Sequence, residues 1–173
     1  MEARPVSTAL NALLARASSA MTAPGKDMRK AIATAHKAAT YAAIKERTGV
    51  MPKGLSKAER ADLKARVQEQ LQYYDRFAEQ AGDMSDAAVG ARAQMYAGAI
   101  RQTFYAARWG GWDIPDNLMP GNQQCLTNCL CHISIADNGD GTGVLTREMG
   151  GTEHHCTECP ELVGDHDISR RAA

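Results

Sequence analysis

All five cysteines of this chain lie in its last fifty residues, in two tight clusters. The first reads Cys125-Leu-Thr-Asn-Cys129-Leu-Cys131-His132 and the second His155-Cys156-Thr-Glu-Cys159-Pro160, with 24 residues between Cys131 and Cys156. Two such sulfur groups have the spacing of a tetrahedral metal site, and structural zinc fits the ligand type. The preceding 124 residues offer no chemistry of comparable specificity. Whatever the C-terminal third folds into must bring these sulfurs together.

The clusters also bound the redox chemistry. The start, Met-Glu-Ala-Arg-Pro-Val-Ser, lacks the basic and apolar regions of a secretory signal, so reduced thiols and metal are expected rather than a disulfide framework. Disulfide pairing in an oxidising environment is the alternative, and an odd count leaves one cysteine over either way. Cys156-x-x-Cys159 forms a knuckle with Pro160 fixing the backbone behind it. Cys129 and Cys131, two apart on a strand, would share a face, whereas Cys125 and Cys129 could meet across a turn. The spacing does not choose between these pairs. The ligand candidates are therefore Cys125, Cys129, Cys131, Cys156 and Cys159, four of the five being needed. His132, His154 and His155 could each replace one thiolate.

Upstream, four helical segments are predicted. The first spans about Val6 to Met21, with Leu10, Leu13 and Leu14 on one side, and ends at Pro24-Gly25. The second runs from Lys26 to about Arg47, with Met28, Ile32, Ala35, Ala39 and Ala43 at helical intervals. The third opens on Ser56-Lys-Ala-Glu59, a capping box in which hydroxyl and carboxylate each satisfy the other's backbone amide. Behind it Leu63, Val67, Leu71, Tyr74 and Phe77 make one apolar stripe. The fourth starts at Ser85-Asp86 and presents Val89, Tyr96, Ile100 and Phe104 before Gly110-Gly111 ends it. His36 is expected at the surface or the edge of the core, and the helix tyrosines as packing residues.

Residues 111–124, rich in Pro, Gly and Asn, read as a linker loop, with Trp109 and Trp112 anchoring its start. Beyond them Leu130–Ala136 alternates as a strand does, Asn138-Gly-Asp-Gly141 makes a turn, and Gly143–Glu148 can return as a second strand. Asp137-Asn-Gly-Asp-Gly-Thr142 fails as a calcium loop, because glycines stand where oxygen ligands are required. The last dozen residues look frayed. The predicted fold class is mainly α: an N-terminal antiparallel bundle of about four helices (residues 1–110), the linker, and a small zinc-stapled β-hairpin module with a flexible tail (residues 125–173).

Charge separates along the chain. Residues 1–124 carry 17 Lys+Arg against 12 Asp+Glu, a balance of +5, and residues 125–173 carry 3 against 8, a balance of −5. Such polarity favours contacts with other proteins over nucleic acid, which needs a concentrated basic face. No apolar run approaches the roughly 20 residues of a membrane span. The deaminase order of His-x-Glu with Pro-Cys-x-x-Cys is absent, as are a P-loop, a dinucleotide fingerprint and the βαβ context of a thioredoxin-type Cys-x-x-Cys. The expectation is a protein without enzymatic activity.

One stretch goes beyond generic knuckle logic. Ala99-Ile-Arg-Gln-Thr-Phe104-Tyr, then Leu118-Met-Pro120-Gly121-Asn-Gln-Gln-Cys125-Leu-Thr-Asn-Cys129-Leu-Cys131-His132, resembles the C-terminal region of tailed-phage minor head, or head-morphogenesis, virion proteins. Their pattern is an aromatic-bearing helix, a Pro-Gly loop, a C-L-x-N-C-x-C run, a short hairpin and C-x-x-C. The likeness covers about residues 95–160. Where the family carries a Trp after the third cysteine, this chain has Ile133 and Ile135, and Glu148-Met-Gly-Gly-Thr-Glu-His-His replaces an aromatic-rich element. The resemblance implies a virion component made in the host cytoplasm, present in many symmetric copies and contacting capsid, portal or neck subunits. Hydropathy and charge argue for neither membrane nor sequence-specific nucleic-acid binding. The rival is a cytoplasmic zinc-ribbon module binding nucleic acid or a transcription partner, against which the acidic C-terminal balance argues.

Overall fold

A computed structural model describes residues 26–80, 83–120, 131–150 and 157–171. The chain divides into two compact units, Met1–Arg108 and Trp109–Ala173. In the first unit, three helices are described: α1 (Lys26–Thr48), α2 (Lys57–Gln80) and α3 (Asp86–Arg108). The second unit holds four strands: β1 (Trp112–Asp113), β2 (His132–Asp137), β3 (Thr142–Glu148) and β4 (Gly164–Arg170).

The helix boundaries follow their local chemistry. α1 stops at Gly49, whose φ of +76° is open to glycine at little cost and whose amide closes back on the Lys45 carbonyl at 2.8 Å. At the start of α2 the capping box forms in both directions: the Ser56 amide donates to Glu59 Oε2 at 2.8 Å, and the Glu59 amide donates to Ser56 Oγ at 3.2 Å. Ser85 Oγ accepts from the Ala88 amide at 3.3 Å and caps α3.

Ion pairs fix the helix directions. Arg29, at the start of α1, pairs with Asp75 near the end of α2, and Arg47, at the end of α1, reaches Glu59 at the start of α2 at 3.0 Å. Those two helices are antiparallel. Glu46 pairs with Arg108 at 3.1 Å and Arg47 donates to the Ala107 carbonyl at 3.1 Å, so α1 and α3 end side by side, running the same way. The alanine-rich stripe of α1 makes the closest approach: Met28, Ile32, Ala39, Ala43 and Ile44 are buried, and they pack against α3 most extensively. Ile100, Phe104 and Tyr105 close that core from α3, and Phe77 from α2.

Among the described residues three helices, and not the predicted antiparallel bundle of four, make up this unit. The expected Val6–Met21 helix falls outside the described residues, and the apolar stripe of α1 finds its partners in α2 and α3. The predicted hairpin module is also corrected. β2 and β3 do pair antiparallel from His132↔Glu148 to Asp137↔Gly143, but as half of a four-stranded antiparallel sheet in the order β1-β4-β3-β2. β4 pairs along β3 from Thr142↔Ser169 to Arg147↔Gly164, and β1 adds Trp112↔Arg170 at its outer edge. The two additional strands come from the stretch expected to be a linker and from the tail expected to fray. Ladder hydrogen bonds belong to the backbone, so β4 can lie inside a sheet with Ile168 as its one buried residue.

Period-two alternation sets the sheet's inner face. Cys131, Ile133, Gly143, Leu145, Arg147 and Ile168 face inward and are buried, and with Trp112 and Leu118 they make a small core. Outside, Thr146 Oγ1 donates to Asp165 Oδ1 of the neighbouring strand at 2.7 Å. The turn joining β2 to β3 is built from its own carboxylates. Asp137 accepts from the Gly139 amide at 2.9 Å, and Asp140 accepts from the Thr142 amide at 2.9 Å and its hydroxyl at 2.6 Å. Gly139 and Gly141 supply the positive φ angles, +83° and +90°.

Candidate metal centre

Cys131 stands one residue before β2, and the alternation of the strand turns it to the inner face beside Ile133. Cys159 ends the descent into a 3₁₀ turn, Pro160–Leu162, whose Leu162 amide returns to the Cys159 carbonyl at 3.2 Å. Proline at the first position of that turn is pre-set for it and needs no amide partner. The register of the sheet thus joins residues 28 apart in sequence: the two sulfurs are 3.8 Å from one another. Both cysteines are about 1% exposed.

That separation is a non-bonded sulfur contact, within S–H···S hydrogen-bond reach, and not a disulfide. A disulfide requires about 2.0 Å between sulfurs. Two thiolates bound to one tetrahedral zinc at about 2.3 Å each lie about 3.8 Å apart, the edge of the tetrahedron. The pair has the spacing of two adjacent ligands, and soft buried sulfur is the donor type that zinc takes in a closed structural site.

A third group meets the sulfurs. Arg147, on β3, is fully buried. Its Nη1 donates to the carbonyl oxygens of Leu118 at 2.7 Å and Asn117 at 3.3 Å, and its Nη2 donates to Cys159 Sγ at 3.8 Å. The guanidinium therefore ties the 116–118 turn to the sulfur pair. Sequence reasoning passed over this residue, although Gly143, Leu145 and Arg147 share one parity and that parity already placed it inward.

Of the predicted ligands, the structure brings Cys131 and Cys159 together. Cys125, Cys129 and Cys156, like His154 and His155, lie outside the described residues. Among the described residues no group of three His, Cys, Asp or Glu side chains could hold an ion. His132 faces the other way, on the outer side of β2, with Nε2 3.8 Å from Glu148 Oε2 of its cross-strand partner. His166 Nε2 lies 3.0 Å from the Leu162 carbonyl.

In the helical unit His36 differs from expectation. It is buried, with Nδ1 2.7 Å from Thr103 Oγ1. Burial first, and the Arg66 charge second, lower its pKa to about 4. Among the described residues, no helix is long and apolar enough to cross a membrane. No family model, no curated protein and no solved structure matches the chain.

Proposed function

We propose that this chain is a non-enzymatic structural protein of a tailed-phage virion, whose C-terminal sheet unit is held by one structural zinc and contacts neighbouring subunits. The observation that carries the zinc is the 3.8 Å separation of the buried Cys131 and Cys159 sulfurs. Zn²⁺ bound there would supply folding free energy and no chemistry, its remaining ligands coming from Cys125, Cys129 and Cys156. Among the described residues the core of this unit is small, Trp112, Leu118, Pro120, Ile133, Leu145 and Ile168 around the two cysteines, and a bound metal would add to its folding free energy.

Surface charge supports a protein partner. Residues 109–173 carry ten Asp+Glu against three Lys+Arg. Of the three, Arg147 is buried and Arg170 is bound to Asp137 and stacked on Trp112 at 4.3 Å. The surface is strongly acidic, which suits a basic face on another subunit and opposes the phosphate backbone of a nucleic acid. The virion assignment rests on the resemblance of residues 95–160 to minor head proteins. Repeated symmetric copies would turn individually weak contacts into firm attachment.

Elemental mass spectrometry of the purified, untagged protein, with thiol counting before and after chelation, tests the metal. The expected result is about one zinc per chain and thiols that react only after the metal is removed. Metal-free protein with a single reactive thiol would mean two disulfides and overturn the zinc. Peptide mass spectrometry of gradient-purified particles tests the virion role; a protein abundant in infected cells and missing from particles would refute it.

A further inference from the structure

The residue that the zinc reading leaves unexplained is Arg147. A guanidinium stays charged at any pH the protein meets, and sealing it from water is costly unless its surroundings compensate. Its neighbours across the ladder are Ile133 on β2 and Gly164 on β4, so nothing about strand pairing calls for a cation there. A Met or Leu would fill the same space at far lower desolvation cost. Buried cations of this kind persist where something negative faces them.

Among the acceptors that meet the guanidinium fork are two backbone carbonyl oxygens on Nη1 and the Cys159 sulfur on Nη2. The carbonyls orient the plane of the guanidinium, and that orientation aims Nη2 at the sulfur. We infer that Arg147 is the outer-shell cation of the thiolate centre, a positioning residue that donates to the Cys159 thiolate and offsets part of the negative charge of the metal–sulfur cluster. This rests on the zinc reading proposed above. Four thiolates around Zn²⁺ leave a net charge of −2, and one adjacent guanidinium halves it. The same contact anchors the Asp116–Leu118 turn against the cluster, so ligand geometry and loop position are set by one side chain. Outer-shell donors of this type hold first-shell ligands in place and tune how tightly the metal is kept.

The test uses the full chain loaded with zinc and, separately, with cobalt as a spectroscopic probe, comparing wild type with Arg147→Met, Arg147→Lys and Ile168→Ala. Ile168→Ala removes buried volume from the same core without touching sulfur or guanidinium. Arg147→Met is expected to lose zinc to a competing chelator about 10- to 100-fold faster than wild type. Its cobalt thiolate charge-transfer band should shift, because a hydrogen bond to the sulfur is gone. Arg147→Lys, which keeps the charge but not the fork, should fall between, and serves alone if Arg147→Met does not fold. Ile168→Ala should lower stability while leaving the cobalt band in place. An unshifted band in both Arg147 variants, with chelation rates matching Ile168→Ala, overturns the inference while leaving the zinc intact. A wild-type protein that takes up neither metal removes the zinc reading, and this inference with it.

Discussion

His36 shows what burial does to one ionisable side chain. Thr103 Oγ1 donates to the Ala99 carbonyl at 3.1 Å, which leaves its lone pair for a proton on His36 Nδ1. Nε2 is buried with no hydrogen-bond partner among the described residues, so a proton added there would meet no acceptor. The folded protein resists protonation down to about pH 4, whereas the unfolded chain takes the proton near 6.5. The unfolded state binds more protons throughout that interval, so stability is complete above pH 6.5 and declines as pH falls toward 4. The loss should approach about 3 kcal/mol, since a tenfold change in proton affinity is worth about 1.4 kcal/mol. Urea unfolding followed by far-ultraviolet circular dichroism should show this decline, and His36→Met should flatten it; an unchanged slope in the variant would exonerate His36. Gly143 makes a steric case. A Cβ there would sit 2.7 Å from the Trp112 ring and 2.8 Å from the Ala136 carbonyl oxygen. Gly143→Ala should therefore cost about 1–3 kcal/mol by overpacking and shift tryptophan fluorescence. Neither residue announced its role in the sequence: a histidine in an alanine-rich helix looks peripheral, and the glycine looks like part of the turn before it.

At the scale of elements, capping and periodicity could be read directly. Ser56 and Glu59 satisfy one another at the start of α2, and the Ser56 amide is the main reason the Glu59 carboxyl lies below its ordinary range, with Arg47 adding to it. Ser56→Ala should destabilise the helical unit by about 1 kcal/mol, measured as a lower urea midpoint with unchanged slope. A shift within error would mean that the box forms without contributing. The stripe on α1 was equally clear, because Met28, Ile32, Ala35, Ala39 and Ala43 repeat at helical spacing and all are buried. β4 was not legible. Its inward residues are Gly164, His166, Ile168 and Arg170 and its outward ones Asp165, Asp167 and Ser169, so one apolar residue in seven gives alternation nothing to register. β1 is two residues long and sits among prolines and glycines, where turn chemistry dominates any local signal.

At the scale of the whole molecule, both tryptophans, Trp109 and Trp112, belong to the second unit. Stripping metal with a chelator should collapse tryptophan fluorescence toward that of the unfolded chain, because structural zinc contributes about 10–16 kcal/mol to such modules. Helical circular dichroism should persist, the three helices having their own core. Restoring zinc should restore the fluorescence. Chelation that leaves tryptophan emission unchanged would show that the sheet stands without metal.

What the sequence determined by itself were the features written in neighbouring residues: three helix spans, their caps and the Asn138–Gly141 turn. Each is a local energy, set within a turn or two of the chain. Tertiary structure decided the rest. It recruited a polar tail into the centre of a sheet, because backbone hydrogen bonds do not depend on side-chain hydrophobicity. It buried His36 against Thr103, 67 residues away, and it set Arg147 beside Cys159 through a register that no local pattern encodes. Contacts between distant residues depend on which surfaces pack together, and that is settled only when the whole chain has closed its core.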